Sequence, residues 1–227
     1  MSETKGFRTV GSDVTRHDAW SKVTGRARYV GDIPTPDAWI GGTFRSPVPR
    51  GKLLAIHRRE SFDWSSVVCL TAKDLPGPNF VSMVRDDLPI LADDEIRFAT
   101  QPLAIVAAPD ASTLAEAIRH LSAEIEELPA LFSVEDAASG NEIIFPPDNI
   151  IMEYRIGSGD IEAGFASSER IVEGTYKTGY QEHIYLETQG IVATPGPDGG
   201  IDVTGSMQCP YYVHNALCRG LLLPADR

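Results

Sequence analysis

Cysteine is scarce in this chain: three in 227 residues, at positions 69, 209 and 218. An odd number with no C-x-x-C spacing leaves no case for a disulfide framework or a zinc knuckle, and a reducing cytoplasm is the expected compartment. Long apolar runs are lacking too. No window approaches the roughly eighteen apolar residues of a membrane span, and the opening MSETKGFRTVGSDVTRHDAW offers no core for a signal peptide. The expectation is a chain neither exported nor anchored. Basic residues are in deficit, 20 Lys and Arg against 32 Asp and Glu, giving a net charge of -12. That balance argues against nucleic-acid and anionic-membrane partners. The basic clusters Arg45 to Arg50 and His57-Arg58-Arg59 are too short to reverse it and read as solvated strand edges.

What is present belongs to a globular protein. Hydrophobic residues make up 42% and charged residues 23% of the chain, far from the composition of disorder. Residues 1–19 are polar and aperiodic and read as an extended arm. Short apolar runs follow at 28–33, 39–44, 53–56 and 67–70, each closed by turn residues, and 102–108 is a continuous apolar run expected to be buried on both faces. Behind it, Asp110 or Thr113 can cap a helix whose Leu114, Ala117, Ile118 and Leu121 fall on one face. Leu121, Ala123 and Ile125 then alternate with Ser122, Glu124 and Glu126, as a half-exposed strand does. The first domain is therefore expected to be α+β, a mixed sheet with a covering helix.

Residues 137–150, rich in small residues and proline, read as a connection. Beyond them 170–178 alternates, and 190–194 and 200–205 flank Pro195-Gly196-Pro197-Asp198-Gly199-Gly200, a strong hairpin signal. Pro210 opens a helix where its missing N–H is harmless, Val213, Leu217 and Leu221 form its apolar stripe with Leu222 alongside, and Pro224 ends it.

Several motifs along this order carry a resemblance. They are Lys22-Val23-Thr24-Gly25-Arg26-Ala27-Arg28-Tyr29 with Asp32-Ile33; Arg45-Ser46-Pro47; Thr71-Ala72-Lys73-Asp74-Leu75-Pro76-Gly77-Pro78-Asn79; Gln101-Pro102-Leu103-Ala104; and Glu127-Leu128-Pro129-Ala130. In order and spacing they resemble the molybdenum hydroxylases, the family of xanthine dehydrogenase and aldehyde oxidase. Residues 20–136 look like that family's α/β hammerhead domain. From Gly157-Ser158-Gly159-Asp160 through Val172-Glu173-Gly174-Thr175-Tyr176 and Gln181-Glu182-His183-Ile184-Tyr185-Leu186-Glu187-Thr188, residues 151–227 look like the opening strands and helix of its molybdopterin-binding domain. Two departures blur the subfamily: Val48-Pro49-Arg50-Gly51 replaces the usual histidine-containing run, and Thr100 replaces the usual glycine before Gln101-Pro102.

The resemblance implies one site residue, Gln208. Family members place a glutamine there whose amide hydrogen-bonds an oxo ligand of the molybdenum centre, a task suited to a neutral amide that neither titrates nor competes as a ligand. Taken from the residues alone, the default role is an amide closing a strand-to-helix turn. Other pairs attract less. Cys209 and His214 are five apart, poorly placed for a thiol and its base; His183 and Glu187 lack the H-E-x-x-H pattern; and Gly157 to Gly159 is too little for a phosphate loop.

The implied reaction is hydroxylation of a purine, another N-heterocycle or an aldehyde, with water as the oxygen source. The glycine-rich loop, the pterin-binding segments and the general base of the family find no match before Arg227. The chain is thus expected to share molybdopterin with a complementing chain, with 2Fe-2S and FAD on other subunits or domains and a small molecule as substrate. Two further readings stay open on sequence grounds: a non-catalytic binding or assembly module with the same fold, and a small hydrolase using Cys209.

Overall fold

The computed structural model describes residues 10–11, 13–83 and 85–227. Part of the expected arm falls outside the described residues; within it a short helix, α1 (Ala19–Val23), begins. The run at 28–33 is not a strand. Asp32 turns its carboxylate back onto the Tyr29 amide at 2.9 Å, and Val30–Asp32 close into a 3-10 turn.

Six strands follow: β1 (Ile40–Arg45), β2 (Gly51–Arg58), β3 (Val68–Thr71), β4 (Glu95–Ile96), β5 (Pro102–Ala108) and β6 (Leu121–Glu127), with helix α2 (Ala111–Arg119) between the last two. The α+β class holds, but the sheet is not mixed. Two three-stranded sheets form, in the orders β1-β5-β3 and β4-β2-β6, and every pairing is antiparallel. The reason lies in α2, which does not carry the chain over to a parallel neighbour of β5 but delivers β6 to β2 in the other sheet.

The expected burial of β5 is only partly realised. Ala104, Val106 and Ala108 point at α2 and meet Leu114, Ala117 and Leu121, while Leu103 turns the other way to join Ile96 and Ala92. Phe44 and Ile56 touch both groups and tie the sheets together. Ile105, on the same strand face as Leu103, remains 39% exposed. Sealing each of the largest buried side chains contributes roughly 2 kcal/mol. Of the two candidates Asp110 is the helix cap, accepting the Thr113 amide at 2.9 Å. On β6 the alternation is as read: Ala123 and Ile125 face the core, and Glu126 and Glu124 face out to meet Lys52 at 3.0 Å and His57 at 3.2 Å.

Two of the motifs lock together. Ser46 donates its amide to the Gln101 carbonyl at 2.9 Å, Thr100 donates to the Ser46 carbonyl at 3.2 Å, and the Gln101 side chain, 1% exposed, accepts the Arg97 amide at 2.8 Å. This geometry forces Thr100 to φ 65°, a left-handed conformation costly for a β-branched residue. It is the position where the resembling family has glycine. Thr100→Gly should therefore stabilise the protein by about 1 kcal/mol, the relief of strain exceeding the entropy added to the unfolded chain, as thermal denaturation would report.

After a short helix α3 (Val134–Ala138), the connecting segment is organised by Asn149, whose side chain accepts the Ile144 amide at 2.8 Å and donates to the carbonyls of Ala137 and Glu142 at 3.0 and 2.8 Å. Helix α4 (Ile161–Ser167) comes next. Residues 170–178, expected as a strand, have no strand partner among the described residues. The hairpin forms as read, β7 (Ile191–Pro195) with β8 (Ile201–Gly205). Helix α5 (Pro210–Leu221) follows, closed by Leu222 in a left-handed conformation, φ 54°. No helix of the described residues is long and apolar enough to cross a membrane.

Candidate functional site

Gln208 lies in the bend that carries the chain from β8 into α5. Backbone groups close that bend. Ser206 donates its amide to the Gly190 carbonyl at 3.1 Å, and the Cys209 carbonyl accepts the amides of Tyr212 and Val213 at 3.1 and 3.4 Å. The Gln208 side chain is exposed, and no hydrogen bond engages its amide among the described residues. Turn closure, the default role for this residue, is thus taken over by main-chain groups.

The helix start beside it is bare. Pro210 brings no N–H, Cys209 makes no side-chain cap, and the first turn holds no acidic residue. The positive end of a 12-residue helix therefore faces out next to an unengaged amide, a set of donors suited to an anionic oxygen-bearing group.

The other pairs weighed from the sequence fall away. Cys209 has no histidine partner among the described residues; His214 instead lies 3.6 Å from Cys218 Sγ through the same Nε2 that sits 2.9 Å from the Ala225 carbonyl oxygen. A nitrogen whose proton goes to a carbonyl cannot accept one from a thiol, so no nucleophile is activated here. Sequence reasoning passed over Cys218, although its spacing of four from His214 on a helix was the signal for the contact. His183 and Glu187 lie in an irregular stretch, and no group of three or more His, Cys, Asp or Glu able to hold a metal occurs among the described residues. Gly157 to Gly159 precede α4, whose start is occupied by the Asp160 carboxylate on the Ala163 amide at 3.0 Å. A phosphate is not wanted there.

Glu187 is better placed than its sequence suggested. With Tyr29, Val30 and Ser206 it lines an open cleft where the N-terminal segment crosses the end of β8, two residues before Gln208. Tyr29 and Val30 come from the 3-10 turn that replaced the expected strand.

Two family models match the chain. Residues 24–129 match the family model described as aldehyde oxidase and xanthine dehydrogenase, a/b hammerhead domain, and residues 144–227 match the molybdopterin cofactor-binding domain. A probable xanthine dehydrogenase component of Bacillus subtilis is 31% identical over 93% of this chain, which spans 29% of that relative. The nicotinate dehydrogenase large molybdopterin subunit of Eubacterium barkeri is 29% identical over 98% of the chain, covering 53% of the relative. The aldehyde oxidoreductase of Desulfovibrio gigas superposes with a TM-score of 0.80 at 26% identity, over 93% of this chain and 25% of that one. The chain thus spans between about a quarter and about half the length of these relatives. With two adjoining domain matches and a shared fold, the chain belongs to the xanthine dehydrogenase and aldehyde oxidase family of molybdenum hydroxylases, as the N-terminal part of the molybdopterin-binding large subunit.

Proposed function

We propose that this chain works within a molybdenum-dependent hydroxylase of the xanthine dehydrogenase type. Residues 20–136 serve as the hammerhead domain, 137–150 as the connection and 151–227 as the opening of the cofactor-binding domain. The substrate class is a purine, another N-heterocycle or an aldehyde, oxidised with water as the oxygen source. One observation carries the reading: the Gln208 amide is exposed, without a hydrogen-bond partner among the described residues, and set at the uncapped start of α5.

These residues fit a molybdopterin centre. When bound, that group supplies the two-electron redox chemistry. Gln208 would offer an N–H to an oxygen of that group without titrating, and the bend at 206–209 leaves its side chain exposed beside the start of α5. The helix start favours negative charge in the same region. The general base, the pterin cage and the electron path through 2Fe-2S and FAD are assigned to other parts of the enzyme.

Residues 150–190 point to the same incompleteness. Ile156 is 96% exposed, and Val172 and Tyr176, on one face of an alternating run, are 92% and 91% exposed. Alternation of this kind suits a strand with a covered face. We assign that cover to the remainder of the cofactor-binding subunit.

Produced alone, the 24.7 kDa chain should self-associate, and co-production with the remainder of the subunit should yield a defined complex containing molybdenum and pterin. Size-exclusion chromatography and metal analysis read both. A monodisperse monomer that gains nothing from the partner would count heavily against the reading, and a well-formed complex devoid of molybdenum would favour a non-catalytic assembly module.

A further inference from the structure

The hammerhead segment sends a loop, residues 76–91, onto the far end of α5. At its base Asn79 clasps Leu91 twice, donating from Nδ2 to the carbonyl at 2.8 Å and accepting the amide on Oδ1 at 3.1 Å. Further out, Val81 and Leu88 form an isolated antiparallel bridge, with the Val81 amide 2.8 Å from the Leu88 carbonyl. The tip presents Ser82 and Asp86, whose side chains are themselves hydrogen-bonded.

Arg219, in the last turn of α5, enters that tip. Its two terminal nitrogens lie 3.2 Å from the two Asp86 oxygens, Nη1 also donates to the Ser82 hydroxyl, and the guanidinium carbon stands 4.6 Å from the centre of the Phe80 ring. Donation from Arg219, and then from Ser82, holds the Asp86 carboxyl below the usual carboxylate range.

Beside the ion pair the two backbones touch. Gly77 donates its amide to the Gly220 carbonyl at 3.0 Å, and a Cβ on Gly77 would lie 2.0 Å from the Arg219 carbonyl oxygen. No side chain fits. Gly220 is buried, with Ile90 against it.

We propose that the 76–91 loop is a latch that sets the position of α5 and through it of Gln208, which makes Arg219 and Asp86 positioning residues for the molybdenum site. This rests on the reading of Gln208 given above. The leverage is geometric. A 12-residue helix is a rod of roughly 18 Å, so a tilt of about 3° at the Arg219 end moves the Gln208 end by roughly 1 Å. A shift of about 1 Å at a reacting centre can cost about a hundredfold in rate. An exposed ion pair adds little strength by itself. Direction is what the latch contributes: a two-pronged fork, an aromatic face beneath it and a glycine contact that admits one approach.

The test uses the enzyme assembled with its other parts. Arg219→Gln should speed hydrogen exchange at the Gly77 amide and along 210–221, lower kcat about three- to tenfold with KM unchanged, and alter the Mo(V) paramagnetic resonance spectrum at full molybdenum content. Arg219→Lys, which keeps charge without the fork, should recover part of each change. Gly77→Ala should do the same damage from the opposite side of the contact; if it fails to fold, the Arg219 pair still decides. Unchanged exchange in a loaded Arg219→Gln enzyme would overturn the proposal, as would faster exchange with kcat and the spectrum at wild-type values, since the loop would then be a mere fold contact. A wild-type assembly without molybdenum would sink the functional reading first and this proposal with it.

Discussion

Gln208→Ala in the assembled enzyme should lower turnover by a factor on the order of ten to a thousand while leaving the fold almost untouched. The two halves of this expectation have separate grounds. Gln208 is exposed and its amide engages no hydrogen bond among the described residues, so truncation removes no core area and breaks no turn; a stability change within about 0.5 kcal/mol follows. The rate loss follows if the amide is a donor aimed in advance at the metal's oxygen ligand, since deleting one such donor elsewhere costs about that much. Loosening of the cofactor by roughly ten- to a hundredfold can accompany it. Gln208→Glu sharpens the test. It keeps the shape but, once ionised, offers no donor and sets a negative charge before an anionic group. It should be at least as damaging as alanine. Full metal and full turnover in both variants would leave the residue without a functional role.

Much of the fold was legible because local pattern and tertiary context agree. The 102–108 run, α2 with Asp110 ahead of it, the hairpin around Pro195 to Gly200 and the helix at Pro210 all form where periodicity and turn chemistry put them. Failures occur where a distant partner decides. Residues 170–178 have strand alternation but no strand beside them among the described residues, and alternation alone does not hold an extended chain in water. At 28–33 a single carboxylate, Asp32, outweighs a short apolar run. The change from one mixed sheet to two antiparallel ones turns on which strand β6 chooses, a choice that β6's own alternation does not encode. Gln208 was reached only through resemblance; its exposure, and the main-chain closure of its turn, emerge only in three dimensions. The contact of Arg219 with Asp86 spans 133 residues, and neither residue belongs to a local pattern that announces it. Thr100 is the converse case: a departure noticed in the sequence acquires a physical meaning once its φ is known.

Arg50→Leu should destabilise the protein by about 2 to 4 kcal/mol. The sequence placed Arg50 with Arg45 on a solvated strand edge, and for Arg50 the structure corrects this, since its side chain is only 7% exposed. It stands just ahead of β2, and its guanidinium donates to the Pro129 carbonyl at 2.6 Å, to Glu142 at 2.9 Å and to the Ile143 carbonyl at 3.2 Å. One charge thus joins the entry of β2, the exit of β6 and the connecting segment. Nε finds no partner, and Glu95 lies 3.9 Å away, so the arrangement is not a fully satisfied network. Replacing an entire buried ion pair with apolar side chains can be neutral, but leucine replaces one member only. The Pro129 and Ile143 carbonyls would lose their donor beside an apolar side chain, while Glu142, 39% exposed, turns to water and adds little to the cost. For a domain of roughly a hundred residues the loss corresponds to a drop in melting temperature of about 10 to 20 °C. Arg50→Lys should fall between, because one ammonium cannot meet the same acceptors from a planar fork. Limited proteolysis separates this from a general loss of stability: cleavage within 137–150 should accelerate before cleavage elsewhere, as the Glu142 and Ile143 contacts are the ones that hold the connecting segment to the sheet. If Arg50→Leu melts with the wild type and the connection stays protected, the guanidinium is a passenger.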